Sequence, residues 1–484
     1  DGDLVRVALG AQPSPGKKRE FEVIEVVERQ RTQVVGTFQH RGHFAFIEPD
    51  DQRVSQDIFV PEEAFNGAQD GQKVVVSIDK FEDRKASPEG RILRIIGPSD
   101  DPEVRVLSLA MSMDVRADFP AAVEDEAEAI PTAIPQQEID RRLDLRDKMI
   151  FTIDPADAKD FDDASHIEEL PNGNYEVGVH IADVSHYVDS GSAIDDEGLE
   201  RATSVYLVDR TIPMLPEKLS NLVCSLRPRE DKLAFSCIME VDRHGEVVDY
   251  DLRETVIHSQ ERLTYDRAQD YIDGGYSEDP VAAHVVRAAR LGRTLTKKRM
   301  REGSIDFDLL EIKVILDDEG HPIDIVPKHR KEANRLIEEF MLLANRTVAR
   351  HIAEHHGQRP SSNGQELPFI YRVHPRPDSE KVQELAEYVK LFGYDVELHD
   401  GSIRSKDMND LIQKIKDTPE EDVIERSALQ TMSKAVYDIE NVGHYGLGFS
   451  YYTHFTSHIR RYPDLVIHRL LKHYAQDGDP ASPS

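Results

Sequence analysis

Short runs of alternating apolar and polar residues dominate the first hundred positions, and a 3.6-residue period takes over further along. Alternation implies strands with one buried face, and the longer period implies helices with one buried stripe. Two β-like runs, residues 4–8 and 21–26, flank a stretch holding Pro13, Pro15 and Gly16. They read as the end of a domain whose earlier part lies upstream, which assigns residues 1–30 to a remnant. Five more strand-like runs follow at 34–38, 43–47, 57–60, 73–78 and 91–96. Five short strands separated by turn signals suit a small barrel of the OB type over 31–98.

From Asp147 onward the pattern mixes strands, at 175–181, 233–241 and 311–316, with amphipathic helices. The clearest helix spans 332–350, where Ala333, Leu336, Ile337, Phe340, Met341, Ala344 and Val348 recur on one face. The expected fold is α+β: a small OB-fold β-barrel followed by a large mixed α+β domain over 147–475. Between them, residues 99–146 read as an acidic linker with some helix. Nine acids against Arg105 and Arg116 between Asp100 and Glu128, with Pro120, Pro131 and Pro135, carry that reading. Residues 476–484 read as a tail.

Charge changes the picture next. With 60 basic and 92 acidic side chains among 484 residues, the net charge is −32, which argues against gripping nucleic acid or an anionic membrane through bulk charge. There is no run of 18 apolar residues and no basic segment leading into an apolar one, so no membrane partner is expected. Cys224 and Cys237 are too few for a disulfide framework or a thiolate cluster, and a reducing, cytoplasmic setting fits.

The densest chemistry is the segment holding Asp154, Asp157, Asp160, Asp162 and Asp163, five carboxylates in ten positions. Gathered together they repel one another unless a cation sits among them, and an all-oxygen donor set selects a hard ion such as Mg²⁺, Mn²⁺ or Ca²⁺. On an ideal strand Asp160 and Asp162 share a face and Asp163 points away, so convergence requires a loop or bulge. A solvated acidic loop and a single structural ion are competing readings. An EF-hand loop counted from Asp157 fails, because Lys159, Phe161 and Asp162 stand at its third, fifth and sixth positions.

Two other segments carry positive charge. Residues 454–464 place Arg460 and Arg461 among aromatic and hydroxyl groups, which suits a phosphodiester because a guanidinium can hold two phosphate oxygens; a helix start paired to acids is the alternative. Residues 287–301 hold seven basic side chains and no acid, in a chain otherwise acidic. They read as segregated positive potential, with a solvated helix face as the alternative. On the barrel, Phe44, Phe46 and Phe59 fall on neighbouring strands. Outward-facing they make a stacking platform for unpaired bases, and inward-facing they are core; alternation does not choose between the faces.

Several of these segments, with Gly178 to Ser185, Thr203 to Tyr206, Ile212 to Pro216, Leu219-Ser220 and Cys224 to Leu226, occur in the order that resembles the RNB catalytic domain of the ribonuclease II and ribonuclease R family. The barrel resembles the second cold-shock domain of ribonuclease R, and residues 1–30 the tail of the first. The resemblance implies a Mg²⁺-dependent hydrolytic exoribonuclease, with Mn²⁺ as a substitute, degrading single-stranded RNA processively from its 3′ end to nucleoside 5′-monophosphates. It implies a monomer with no obligate protein partner. It places metal and catalytic roles on Asp154, Asp160, Asp162 and Asp163, and Arg460 beside the scissile phosphate. Tyr206, Tyr265, Glu338 and Arg461 are expected to contact RNA, together with the three phenylalanines. Asp157 falls at a variable position.

Two departures qualify the resemblance. The family usually has proline where this chain has His458, which is expected to loosen the loop, lower activity and add a titration near neutrality. The family also continues into a C-terminal RNA-binding domain, whose absence from this sequence is expected to weaken grip. An RNA-binding protein on a catalytically weakened RNB scaffold is the alternative reading, and a phosphodiesterase acting on DNA or small nucleotides is a third. The acid-rich, arginine-rich balance suggests a salty cytoplasm and activity that persists at molar KCl.

Overall fold

The computed structural model describes residues 3–9, 21–29, 32–80, 87–274, 278–307, 311–356 and 368–477. Pro13, Pro15, Gly16 and most of the expected tail lie outside those residues. Two compact units emerge, the first made of Asp1–Phe119, Val205–Ile212 and Lys313–Val326, the second of the remainder.

In the first unit β1 (Leu4–Leu9) and β2 (Phe21–Glu28) form an antiparallel hairpin with largely exposed side chains. The five expected barrel strands are all present: β3 (Gln33–His40), β4 (Phe44–Pro49), β5 (Ile58–Pro61), β6 (Gln72–Lys80) and β7 (Glu89–Pro98). They close in the order β3-β4-β5-β7-β6. Ala45, Ile47, Ile58, Val60, Val74 and Val76 fill the interior. Helix α1 (Pro102–Ser112) starts at Asp101, whose carboxylate accepts from the Glu103 and Val104 N–H groups, and Pro102 sits where a missing N–H costs nothing. It buries Ser108 and Ala110, and the Ser108 hydroxyl donates to Asp50 (3.2 Å).

The rest of the expected linker is also packed structure. Helices α2 (Ala121–Ala129) and α3 (Gln136–Arg141) belong to the second unit, and Val123 and Ala127 are buried there. Acidic composition hid two apolar anchors one helical turn apart.

The second unit is built on a curled sheet of β8 (Leu143–Asp144), β9 (Ile150–Asp154), β10 (Asp163–Glu169), β11 (Tyr175–Ala182), β12 (Asp231–Val241) and β13 (Val247–Thr264). The strand order is β12-β11-β10-β9-β13-β8, and β12 also pairs with β13, which turns the sheet back on itself. Gly178 on β11 makes room for the His166 ring, from which a Cβ there would stand 2.2 Å. Between β11 and β12 lies α4 (Ala193–Arg201). After the sheet come α5 (Tyr265–Ile272), α6 (Pro280–Glu302) and α7 (Glu332–His356), the last confirming and extending the strongest periodic signal. Ile153, Val179, Phe235 and Leu263 share one core with Leu291, Leu336, Phe340 and Ile467. Helices α8 (Ser379–Lys390), α9 (Ser405–Ile415) and α10 (Glu421–Thr431) pack a second core around Leu385, Met408 and Ile424. The final helix, α11 (Tyr462–Asp477), begins two residues after Arg460.

Candidate functional site

The acidic segment is a loop joining two neighbouring strands. Asp154 ends β9, Asp163 starts β10, and residues 155–162 turn between them, as the spacing required. Ser225 pins the loop's far leg: its hydroxyl donates to the Lys159 carbonyl (2.9 Å) and accepts from the Phe161 N–H (3.0 Å). The Phe161 carbonyl accepts from the Leu226 N–H, and the Asp162 carbonyl from the Ala182 N–H, both at 2.9 Å. Phe161 is thus buried, which alternately turns Asp160 and Asp162 to the same side.

The second half of the site comes from a turn 295 residues away in sequence. Ser457 Oγ donates to Asp162 Oδ2 (2.9 Å), and the Ile459 N–H donates to Asp162 Oδ1 (3.1 Å). Arg460 then lies across the acids, its Nε 2.7 Å from Asp162 and 3.0 Å from Asp160, with Nη2 donating to the Asp160 carbonyl (2.9 Å). The turn itself is anchored from behind. Asp464 accepts from the Ser457 N–H (2.9 Å) and takes both Arg461 Nε (3.1 Å) and Nη2 (2.7 Å). The Arg460 carbonyl accepts from the Ser204 N–H and the Thr203 hydroxyl.

Removal from water and mutual repulsion raise Asp154, Asp162 and Asp163. Burial pushes Asp154 up to about 6 against the opposing pull of Thr152, Arg460 and Arg262, and burial pushes Asp162 up to about 6 despite Arg460. Asp163 rises to about 8, by withdrawal from bulk water first and then by the Asp154 and Asp162 charges. Asp154 Oδ2 is buried with no hydrogen-bond partner. The donor chemistry suits a hard divalent cation, since all are carboxylate oxygens and Asp154 Oδ2 is orphaned, although among the described residues no three of these carboxylates bring oxygens within 4.8 Å of one another. Asp157 is exposed.

The other expected site residues separate into groups. Tyr265 opens α5 beside the acids, its hydroxyl pushed above the usual phenol range by burial and then by the Asp163 and Asp154 charges. Glu338 on α7 faces Arg330 and stands 3.8 Å from Arg299; no described contact joins it to the aspartates. Arg461 spends its guanidinium on Asp464, so it braces the Arg460 turn. Tyr206 is exposed and lies in the first unit, on a short strand Val205–Tyr206 paired with Thr211–Ile212. Phe44, Phe46 and Phe59 are half-buried on the outer face of the barrel, ring centroids 5.6 to 6.1 Å apart, while Ala45, Ile47 and Val60 take the interior. The face left open by alternation is therefore the outer one.

Two expectations need correcting. The positive charge is partly neutralised within the second unit: on α6 Arg299 pairs with Glu339 (2.7 Å) and Lys298 with Glu246 (2.7 Å), and on α11, beyond the Arg460 segment, Arg469 pairs with Asp195 (2.8 Å) and Lys472 with Asp183 (2.6 Å). On α6 only the exposed Arg290, Lys297 and Arg301, with half-buried Arg287, are left as candidates for segregated charge, besides Arg293, which meets Glu332. His458 does not loosen its turn. It is fully buried, accepts from the Val184 N–H (3.4 Å), and lies against His468 with centroids 3.8 Å apart and the rings tilted by 37°. Burial, then the His468 neighbour, holds it well below the ordinary imidazole range, so it stays neutral through pH 6 to 8.

Sequence reasoning missed Ser457, Asp464 and Ser225 as parts of the site, although all three lie in or beside quoted motifs. It also missed Glu397, His399 and Asp407, whose ligand atoms lie within 4.8 Å of one another, because they spread over eleven positions without a recognisable spacing. There Arg404 already holds Asp407 through two nitrogens (2.7 and 3.0 Å).

Comparison with known proteins follows the same division. Residues 142–477 match the RNB domain, and residues 46–120 match a cold shock domain. Ribonuclease R of Thermotoga maritima is 44% identical over 471 residues, covering 95% of this chain and 64% of the relative. Ribonuclease R 1 of Lactococcus lactis is 40% identical, covering all of this chain and 60% of the relative. The chain therefore spans somewhat under two thirds of those relatives. The structure of Mycoplasma genitalium RNase R in complex with ribose methylated single-stranded RNA superposes with a TM-score of 0.91 at 29% identity, covering 98% of this chain and 73% of that one.

Proposed function

Because the chain belongs to the RNB family that includes the ribonuclease R proteins, we propose that it is a hydrolytic, Mg²⁺-dependent exoribonuclease that shortens single-stranded RNA processively from the 3′ end to nucleoside 5′-monophosphates. The observation that carries this reading is the meeting of the acidic loop with the Ser457–Arg460 turn, where a guanidinium lies against Asp160 and Asp162. Mg²⁺, with Mn²⁺ as a substitute, would be held by Asp154, Asp160, Asp162 and Asp163. Bound there, it supplies charge neutralisation for the non-bridging oxygens and a more acidic water.

The chain's own groups do the rest. Arg460, partly exposed beside the carboxylates, is placed to exchange an internal partner for a phosphate oxygen and to stabilise the charge that develops there. Asp162, fixed by Ser457 and Ile459, orients whatever is bound at its oxygens. Tyr206 packs against the 3′-terminal nucleotide, and Tyr265, beside Asp163 and Asp154, walls the site. The Phe44, Phe46 and Phe59 face stacks unpaired bases, with sequence-tolerant contacts. Tyr206 and Glu338 are RNA contacts in the same reading, and Arg461 acts through the Arg460 turn. Preference for RNA comes from 2′-hydroxyl contacts. Among the described residues no helix is long and apolar enough to cross a membrane; we place the protein in the cytoplasm, working as a monomer.

The test uses 5′-labelled single-stranded RNA and DNA of one sequence with Mg²⁺. A ladder shrinking from the 3′ end on RNA alone is expected. Equal degradation of DNA, internal cuts, or RNA binding with no shortening would overturn the reading.

A further inference from the structure

The loop from Asp154 to Asp163 must reverse direction within eight residues while carrying like charges, so something has to hold its two legs together. Ser225 holds the far leg. The near leg is held from β13, which runs parallel to β9 with Arg262 beside Thr152 and Thr264 beside Asp154. Arg262 Nη2 donates to the Pro155 carbonyl (2.5 Å) and to the Ala156 carbonyl (2.9 Å), the two residues that follow Asp154. The same guanidinium stands 5.6 Å from the centroid of the Phe161 ring, the residue that precedes Asp162. One side chain thus touches the loop at its departure and at its return.

We propose that Arg262 is a positioning residue for the metal-binding carboxylates: it closes the 155–162 loop so that Asp160 and Asp162 come back to Asp154. This rests on the function proposed above. The residue type suits the task, because the planar guanidinium lets Nη2 serve two carbonyls while its flat face lies over an aromatic ring, a geometry that a point-charge ammonium does not fix. Its charge also works on Asp154, which it favours in the ionised form. Arg262 and Arg460 therefore brace one acidic loop from different segments, the former through two backbone carbonyls and the latter through the carboxylates and the Asp160 carbonyl.

The experiment compares wild type with Arg262→Ala, Arg262→Lys and, as a control on the same strand, Arg253→Ala, whose partner is Asp251. The readouts are kcat and KM on single-stranded RNA, Mn²⁺ affinity by spin-resonance titration without RNA, and Tm. Arg262→Ala is expected to lower kcat about 100-fold with KM nearly unchanged, the scale of an ångström-sized misplacement. Mn²⁺ affinity should fall about 10-fold, as when groups behind metal ligands are removed. Lysine should recover part of both losses, and Arg253→Ala should resemble wild type. Wild-type kcat and Mn²⁺ affinity in Arg262→Ala overturn the inference, as does a kcat loss that follows Tm while Mn²⁺ affinity stays unchanged. If Arg262→Ala does not fold, Arg262→Lys and Phe161→Leu decide, and wild-type values in both overturn it. A wild-type protein inert on RNA sinks the function proposed above, while the Mn²⁺ titration still tests the role of Arg262.

Discussion

In the barrel, aliphatic side chains fill the interior and Phe44, Phe46 and Phe59 stand half-exposed outside it. In the second unit, carboxylates are drawn away from water and a guanidinium is laid over them. The first arrangement asks nothing of the fold, since the core is complete without the three rings. The second works against the fold, because Asp154, Asp162 and Asp163 resist ionising where they stand. The outer face of the barrel can thus be changed at little structural cost, whereas the carboxylate cluster holds repulsion that Arg460 and Arg262 relieve only in part.

The sharpest way to break that contrast is Arg460→Ala. Losing a donor aimed at developing charge should cost about 10²–10³ in kcat, with affinity for RNA much less affected. Measured by single-turnover cleavage and filter binding, a loss confined to affinity would place Arg460 with the binding face instead. Next in size is pH. As pH rises from 6 to 8 the raised carboxyls shed protons, so at limiting Mg²⁺ the cleavage rate should climb through this range, while RNA binding by the barrel face stays flat. A rate that falls over the same range would reverse the assignment.

The barrel side of the comparison is probed by Phe44→Ala, Phe46→Ala and Phe59→Ala. Each should weaken RNA binding by about 1–3 kcal/mol, as loss of a stacking ring does, with Tm and kcat little changed. A large drop in Tm would show the rings to be core. The smallest expected effect is on stability. A carboxyl raised in the folded state binds more protons there than in the unfolded chain, so its contribution falls as pH rises from about 4 to 8. Asp163→Asn should therefore raise the Tm of metal-free protein at pH 8 and change it little at pH 4. An unchanged Tm at both would mean the repulsion is already relieved.

Much of this is legible in the amino-acid sequence. The barrel strands follow from alternation, and the helix at Glu332–His356 from its period, because both patterns reflect one buried face. The acidic loop followed from charge density and from the geometric impossibility of converging on a strand. What stayed hidden depends on contacts between distant segments. Nothing in sequence spacing ties Ser457 to Asp162 or Arg262 to Pro155. The acidic linker misled because Val123 and Ala127 are few among acids, yet suffice to seat a helix. His458 misled because its neighbours, including His468 ten residues on, bury it and keep it neutral.

The central claim is that the acidic loop and the Arg460 turn form one metal-dependent cleavage site, and Asp162 is the residue on which both converge. The most direct test is single-turnover cleavage of a 5′-labelled RNA by wild type and Asp162→Asn, each with Mg²⁺ and with EDTA, alongside binding of the same RNA. A ladder from the 3′ end only in wild type with Mg²⁺, and retained binding by the variant, is the expected result. Cleavage by Asp162→Asn at the wild-type rate, or cleavage undiminished in EDTA, would contradict the account.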